Sequence, residues 1–260
     1  MQETSTLYKQ LLSDKNHWFE VSLVIGEDGH LVDEYSNTIT FGGTAILVST
    51  SGGDSGYLET QLRSIVTTVN LFSGNTPSVG NAVAGEIDVV MINPTSDIPR
   101  MAMLVPYVRV TNGTQHSEWI KKGVYYIDTR EVTDSGDGIN LLTLHGYDSM
   151  LKADQDYATS ELTWNAKDTD VVREIASAMG VSVDSRTFAI MDKSYQLAYP
   201  AGYTMRETLA YISAMYAGSF VMTDAGQLRL VTLWELPRET NILVDHAGFS
   251  LTFGGDHIRV

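Results

Sequence analysis

Apolar side chains recur at every second position in run after run of this chain. That period commits its first part to β-structure, because successive strand residues face opposite sides. Phe19, Val21, Leu23 and Ile25 are apolar with Glu20, Ser22 and Gly26 falling between them, which predicts a strand with one wet face. Glu27-Asp28-Gly29 ends it with an Asp-Gly turn signal, so a second strand is expected over His30–Tyr35. Runs rich in β-branched and aromatic residues follow at Thr38–Phe41, Ile65–Phe72, Glu86–Ile92, Leu104–Val110, Gly123–Val132 and Asn140–His145, each bounded by turn formers. The last two flank Thr133-Asp134-Ser135-Gly136-Asp137-Gly138, which predicts a long hairpin. Many short strands without intervening helices point to a sandwich or a barrel, and closure removes exposed edges more completely. The expectation is an antiparallel barrel.

Past Leu151 the period changes. Asp168-Thr169-Asp170 precedes Val171, Val172, Ile175, Ala176 and Met179 at helical spacing, with Gly180 as the stop. Thr204-Met205-Arg206-Glu207 has the capping-box pattern, followed by an apolar stripe at Leu209, Ile212, Met215 and Tyr216 and by Gly218 as the residue closing the helix. Phe220–Thr223 and Leu228–Val231 flank Asp224-Ala225-Gly226-Gln227, a hairpin with Gly available for the left-handed position. Strand character returns at Ile242–Val244, Phe249–Phe253 and His257–Val260, with Gly254-Gly255-Asp256 as a turn. The fold class expected is therefore α+β, mainly β. It comprises a barrel over 1–155, a small α/β unit over 156–238 with helices near 169–179 and 205–217, and returning strands over 239–260.

At 260 residues the chain can bury a sizeable core, and its 43% apolar and 19% charged residues are those of a folded protein. Seventeen basic residues against 32 acidic leave a net charge of −15, which disfavours stable nucleic-acid binding, since that affinity comes from cations displacing counterions. With no cysteine, disulfides, thiolate nucleophiles and Cys-containing metal sites are excluded. The N-terminus shows no basic region followed by an apolar core, and no stretch has the length of a membrane span, so no export or anchoring signal is read.

Motifs for catalysis are sparse. No Gly-x-Ser-x-Gly frame, no dinucleotide fingerprint and no phosphate loop occurs. His17, His30, His116, His145, His246 and His257 are too scattered for a local metal site, so no cofactor or metal is expected. His145-Gly146-Tyr147-Asp148-Ser149 places imidazole, carboxylate and hydroxyl close in sequence. The plainer reading makes Gly146 a turn residue, Tyr147 a packing residue, and Asp148 or Ser149 the cap of a short segment over Met150–Ala153. Asp128 with Glu131, or Asp134 with Asp137, are acids of a kind that could form a glycosidase couple, but loop acids are usually solvated.

Two aromatic features remain: Trp119 before Ile120-Lys121-Lys122, and the adjacent pair Tyr125-Tyr126, of which one should enter the core and the other face outward. With Met101 and Met103 they are the candidate subunit-interface residues, in competition with ordinary core packing, because aromatics and Met are enriched at interfaces.

A series of blocks in fixed order resembles the tail-hub and tail-tip proteins of bacteriophages and prophages. The blocks are Leu71-Phe72-Ser73-Gly74, 77–83, Glu86-Ile87-Asp88-Val89, 98–102, 117–130, 144–151 and Phe253-Gly254-Gly255-Asp256-His257-Ile258. The resemblance implies a structural protein of the virion, assembled in the host cytoplasm. It implies a homotrimer at the distal end of the tail tube, in contact with the distal tail protein or tube, with tip or fibre proteins, and with the tape measure protein. It implies no enzyme. The family pairs two tube-like barrels, whereas here only the first is complete and 239–260 reads as the start of a second. The net charge would then suit a lumen that repels passing DNA. Two other readings are an anchoring module of a tail-associated cell-wall hydrolase, and a carbohydrate-binding module using Trp119, Trp164 and Tyr125 as sugar platforms.

Overall fold

The computed structural model describes residues 4–26, 57–58, 60–71, 78–92, 98, 101–134 and 139–233, together with the strand backbone of 252–253 and 256–257. The strands expected over 30–35, 38–41 and 242–244 lie outside these residues. A short helix, α1 (Thr6–Ser13), comes first; its N-cap Ser5 accepts the Tyr8 N–H and is itself bonded to Glu118. Eight strands then form one antiparallel sheet: β1 (Trp18–Gly26), β2 (Tyr57–Leu58), β3 (Leu62–Thr68), β5 (Glu86–Ile92), β6 (Met103–Thr111), β7 (Ile120–Lys121), β8 (Tyr125–Asp134) and β9 (Asn140–Asp148). Their order is β2-β1-β6-β8-β9-β5-β3, with β7 added to β6. The α+β, mainly β expectation holds.

The sheet curls. Its two outermost strands, β2 and β3, are consecutive in the chain with only residues 59–61 between them, so its ends must lie side by side. One core gathers side chains from all round it: Leu23 of β1, Ile87, Val89 and Met91 of β5, Leu104 of β6, Tyr125 and Ile127 of β8, and Leu142 and Leu144 of β9. Tyr57 of β2 and Leu62 and Ile65 of β3 pack against the same cluster. A flat sheet could not bring both edges to one core. No ladder between β2 and β3 completes a barrel among the described residues.

The second unit is built on a small sheet, β13-β12-β4, of which β12 (Gly218–Met222) and β13 (Leu228–Thr232) are the expected hairpin. Its third strand, β4 (Asn81–Ala82), comes from the connection between β3 and β5 and pairs parallel to β12. Helices α2 (Asp168–Ala178), α3 (Ser185–Ile190) and α4 (Met205–Met215) accompany this sheet, and β10 (Ala166–Lys167) pairs with β11 (Gln196–Leu197) beside them. Both halves of the capping box at Thr204 and Glu207 form. Val171, Val172 and Ile175 of α2 meet Leu209 and Ile212 of α4, Phe220 of β12, and Leu228 and Leu230 of β13 in a second core. Near the C-terminus β14 (Thr252–Phe253) pairs with β15 (Asp256–His257).

Two glycines serve differently from the expectation. Gly146 lies inside β9 and does not turn the chain; a Cβ there would sit 2.4 Å from the Tyr126 carbonyl oxygen. Gly218 does not close α4; Ala217, at φ 51°, makes that reversal, and Gly218 opens β12 where a Cβ would meet the Val231 oxygen at 2.5 Å. In both places the missing side chain lets two strands approach.

Candidate functional site

The five interface candidates separate into a group of three at one end of β6, a core residue and a distant aromatic. Met103 and Tyr126 are direct cross-strand partners on β6 and β8, so their side chains share the outer face of the sheet. Tyr126 is half-buried, with the Lys152 Nζ 4.1 Å from its ring centroid. Met101, just before β6, is exposed with φ 62°. Tyr125 faces the other way into the core, as the alternation required for one of the pair, and burial pushes its hydroxyl up to about 12. Trp119 sits at the opposite end of β6, half-buried under the Arg109 guanidinium, whose carbon lies 4.3 Å from its ring centroid. Six steps along the strand separate Met103 from Arg109, about 20 Å at the usual rise.

The Met103–Tyr126 pair begins a row that crosses the sheet. Tyr126 neighbours Tyr147 of β9, Tyr147 neighbours Glu86 of β5, and Glu86 neighbours Thr68 of β3. Beside this row the α/β unit leans over the sheet and leaves a groove of about 450 Å³, lined by Thr68, Glu86, Asp128, Tyr147, Leu151 and Arg206 among others. A β-bulge between Ile127 and Thr129 leaves Asp128 without a cross-strand partner and aims it here. Arg206 is already engaged: its Nε donates to the Ala82 carbonyl at 2.8 Å and its Nη1 to both Asp154 oxygens at 3.1 and 3.0 Å. Among the described residues, the side-chain carboxylates of Glu86 and Asp128 enter no hydrogen bond or ion pair.

The His145–Ser149 cluster does not converge. His145 Nδ1 lies 2.8 Å from Asp88 Oδ1 on the outer face and its ring meets Tyr147 edge-on at 4.9 Å, whereas Asp148 is buried at the junction of the two units. Asp148 caps the 3-10 turn Ser149–Asp154, accepting the Met150 N–H at 2.9 Å, as the plainer reading had it. Burial raises its carboxyl to about 6, against the lowering effect of the Gly85 and Met150 N–H groups. Asp128, Glu131 and Asp134 are exposed along β8, and Asp137 lies outside the described residues. Among the described residues no three His, Asp or Glu are grouped as metal ligands, and no helix is long and apolar enough to cross a membrane.

A curled antiparallel sheet that sends one connecting segment into a neighbouring α/β unit is a specific architecture, and it has solved counterparts. The 43 kDa tail protein of prophage MuSo2 from Shewanella oneidensis matches 84% of this chain and 56% of its own, with a TM-score of 0.50 at 14% identity. The fold is similar to that of a prophage tail protein. A tail protein from Neisseria meningitidis MC58 matches 82% of this chain and 50% of its own, with a TM-score of 0.47 at 13% identity. The chain thus spans about half the length of these tail proteins. No protein-family model matches the sequence, and comparison with curated proteins finds no match. The resemblance to phage tail proteins read from the ordered blocks is borne out at the level of fold.

The sequence reading named Met103 and Tyr126 as interface candidates, which the structure sets side by side, but missed the groove beside them. Its lining residues lie between positions 68 and 206, and only the strand order of this tail-protein-like fold makes them neighbours.

Proposed function

We propose that this chain is a structural subunit of a phage or prophage tail, placed at the hub or tip where the tube ends. Three copies form a ring there, joined to the tube or distal tail protein on one side and to tip or fibre proteins on the other. The ring leaves an axial passage for the tape measure protein and DNA. The observation that carries this reading is the fold likeness over 84% of the chain to the MuSo2 tail protein.

The work proposed is geometric. A sheet curled around its own core is stiff, because bending it would open a close-packed interior. The α/β unit is anchored to it through several crossings of the chain, which suits a part that must hold its shape in a ring. Cyclic closure needs only that one surface of each copy fit a different surface of the next. We propose no catalytic role: His145 is engaged by Asp88 on one face while Asp148 serves as a buried cap on the other.

Sedimentation velocity of the purified chain, alone and with tail tube protein, tests the assembly. The reading expects a species of three times the 28.6 kDa chain mass, or its appearance on adding the neighbour. A monomer that ignores tube protein at every concentration contradicts it.

A further inference from the structure

The groove between the sheet and the α/β unit carries more information than its position. The one cation in its lining, Arg206, is already engaged by Asp154 and the Ala82 carbonyl. The anions of the groove are not. The carboxylates of Glu86 and Asp128 stand exposed on the wall with no hydrogen bond or ion pair among the described residues. The Tyr147 side chain and the 39%-exposed Leu151 side chain line the same groove and add apolar surface to it.

We propose that this groove binds an extended, Lys- or Arg-bearing segment of a different protein. The apolar side chains of that segment would cover Tyr147 and Leu151, and its cations would meet Glu86 and Asp128. The charge decides the occupant. A phosphate or an acidic peptide would meet two free carboxylates and no free cation, a repulsive arrangement that interfaces use to reject wrong partners. At this groove a basic segment complements the free carboxylates better than a surface of a second copy, which carries 32 acidic against 17 basic residues. Tyrosine is enriched at protein-binding surfaces, whose rims are polar. The inference stands on the groove alone and survives if the tail reading fails.

The test uses the full chain and two probes, an acetylated and amidated seven-residue peptide of alternating leucine and arginine, and the same peptide with glutamate for arginine. Calorimetric titration should show the arginine peptide binding and weakening as salt rises, and backbone NMR shifts should move at Glu86, Asp128, Tyr147 and Leu151. The double variant Glu86→Gln/Asp128→Asn should lose about tenfold in affinity while melting as the parent does, because both side chains are exposed and unpaired. A control double variant, Glu131→Gln/Asp156→Asn, removes the same charge elsewhere and should bind as the parent does. Leu151→Ser should also weaken binding. Equal binding of both peptides, no binding of the arginine peptide, or a control variant as impaired as the groove variant would each overturn the proposal. Self-association of the chain that the groove variant abolishes would assign the site to a second copy and overturn it too.

Discussion

Asp148 and Gly85 bond to each other twice. The Gly85 N–H donates to the Asp148 carboxylate at 2.7 Å, and the Asp148 N–H donates back to the Gly85 carbonyl at 2.9 Å. Gly85 lies where the chain returns from β4 to β5, and Asp148 where it leaves β9 for the α/β unit, so this pair ties two of the crossings between the units. A Cβ on residue 85 would stand 2.8 Å from the carboxylate oxygen. Replacing Asp148 by Ala leaves the Gly85 and Met150 N–H groups buried without that acceptor. Denaturant unfolding should show a loss of about 2–3 kcal/mol.

The same carboxyl gives stability a pH signature. Burial holds it near 6 in the folded chain against 3.8 as its ordinary value, so between those values the folded state binds the proton more tightly. Its contribution is therefore full below pH 3.8 and is lost as pH rises through 6. Carbon-detected NMR of the Asp148 carboxyl should titrate near pH 6, and the Asp148→Asn variant should lack this part of the stability profile. A titration near 4 would contradict the buried staple.

Asp184 has the opposite sign. Its side-chain bonds with Arg186 hold its carboxyl down to about 2, and it caps α3 by accepting the Arg186 N–H. Its contribution is present above pH 3.8 and fades as pH falls through 2. Asp184→Ala should cost about 1 kcal/mol at pH 7, as a lost N-cap does, and less at pH 2. Urea melts at the two pH values measure the difference.

Close strand approach makes a sharper prediction for glycine. Gly146→Ala and Gly218→Ala drive a Cβ against backbone oxygens of neighbouring strands, which cannot swing aside as a side chain can. Each should lose about 1–3 kcal/mol or more, the range for overpacking. Gly180→Ala adds a Cβ in open space at φ +72°, so its cost is only the left-handed strain of about 1–2 kcal/mol. Thermal unfolding of the three variants should rank Gly180→Ala mildest.

Thr204→Ala removes one half of a capping box in which Thr204 Oγ1 accepts the Glu207 N–H at 3.1 Å and the Thr204 N–H donates to Glu207 Oε2 at 2.8 Å. About 1 kcal/mol of stability should go with it, read from chemical denaturation.

Much of this architecture was readable from the order of residues wherever a physical period repeats. Glu86–Ile92, a run rich in β-branched residues, is β5 from end to end, and the stripe after Thr204 is α4. What escaped has no period to read. Strand β4 is two residues long and is fixed by backbone bonds to residues 218 and 220, far along the chain. Helices α1 and α3 are short, with only a Ser and an Asp cap to mark them. Gly146 and Gly218 looked like turn residues because a glycine signals freedom of the backbone, while closeness of a second strand leaves no trace in its own sequence. For the same reason the groove was hidden: Glu86, Asp128, Tyr147 and Arg206 are ordinary surface residues until the strand order sets them side by side.

Cryo-electron microscopy of tail particles from the host that carries this gene tests the central claim most directly. The account predicts threefold density at the distal end of the tube into which the curled sheet and its α/β unit fit, and loss of that density when the gene is deleted. Complete tails of unchanged structure in the deletion strain, with no density that accepts this fold, would contradict it.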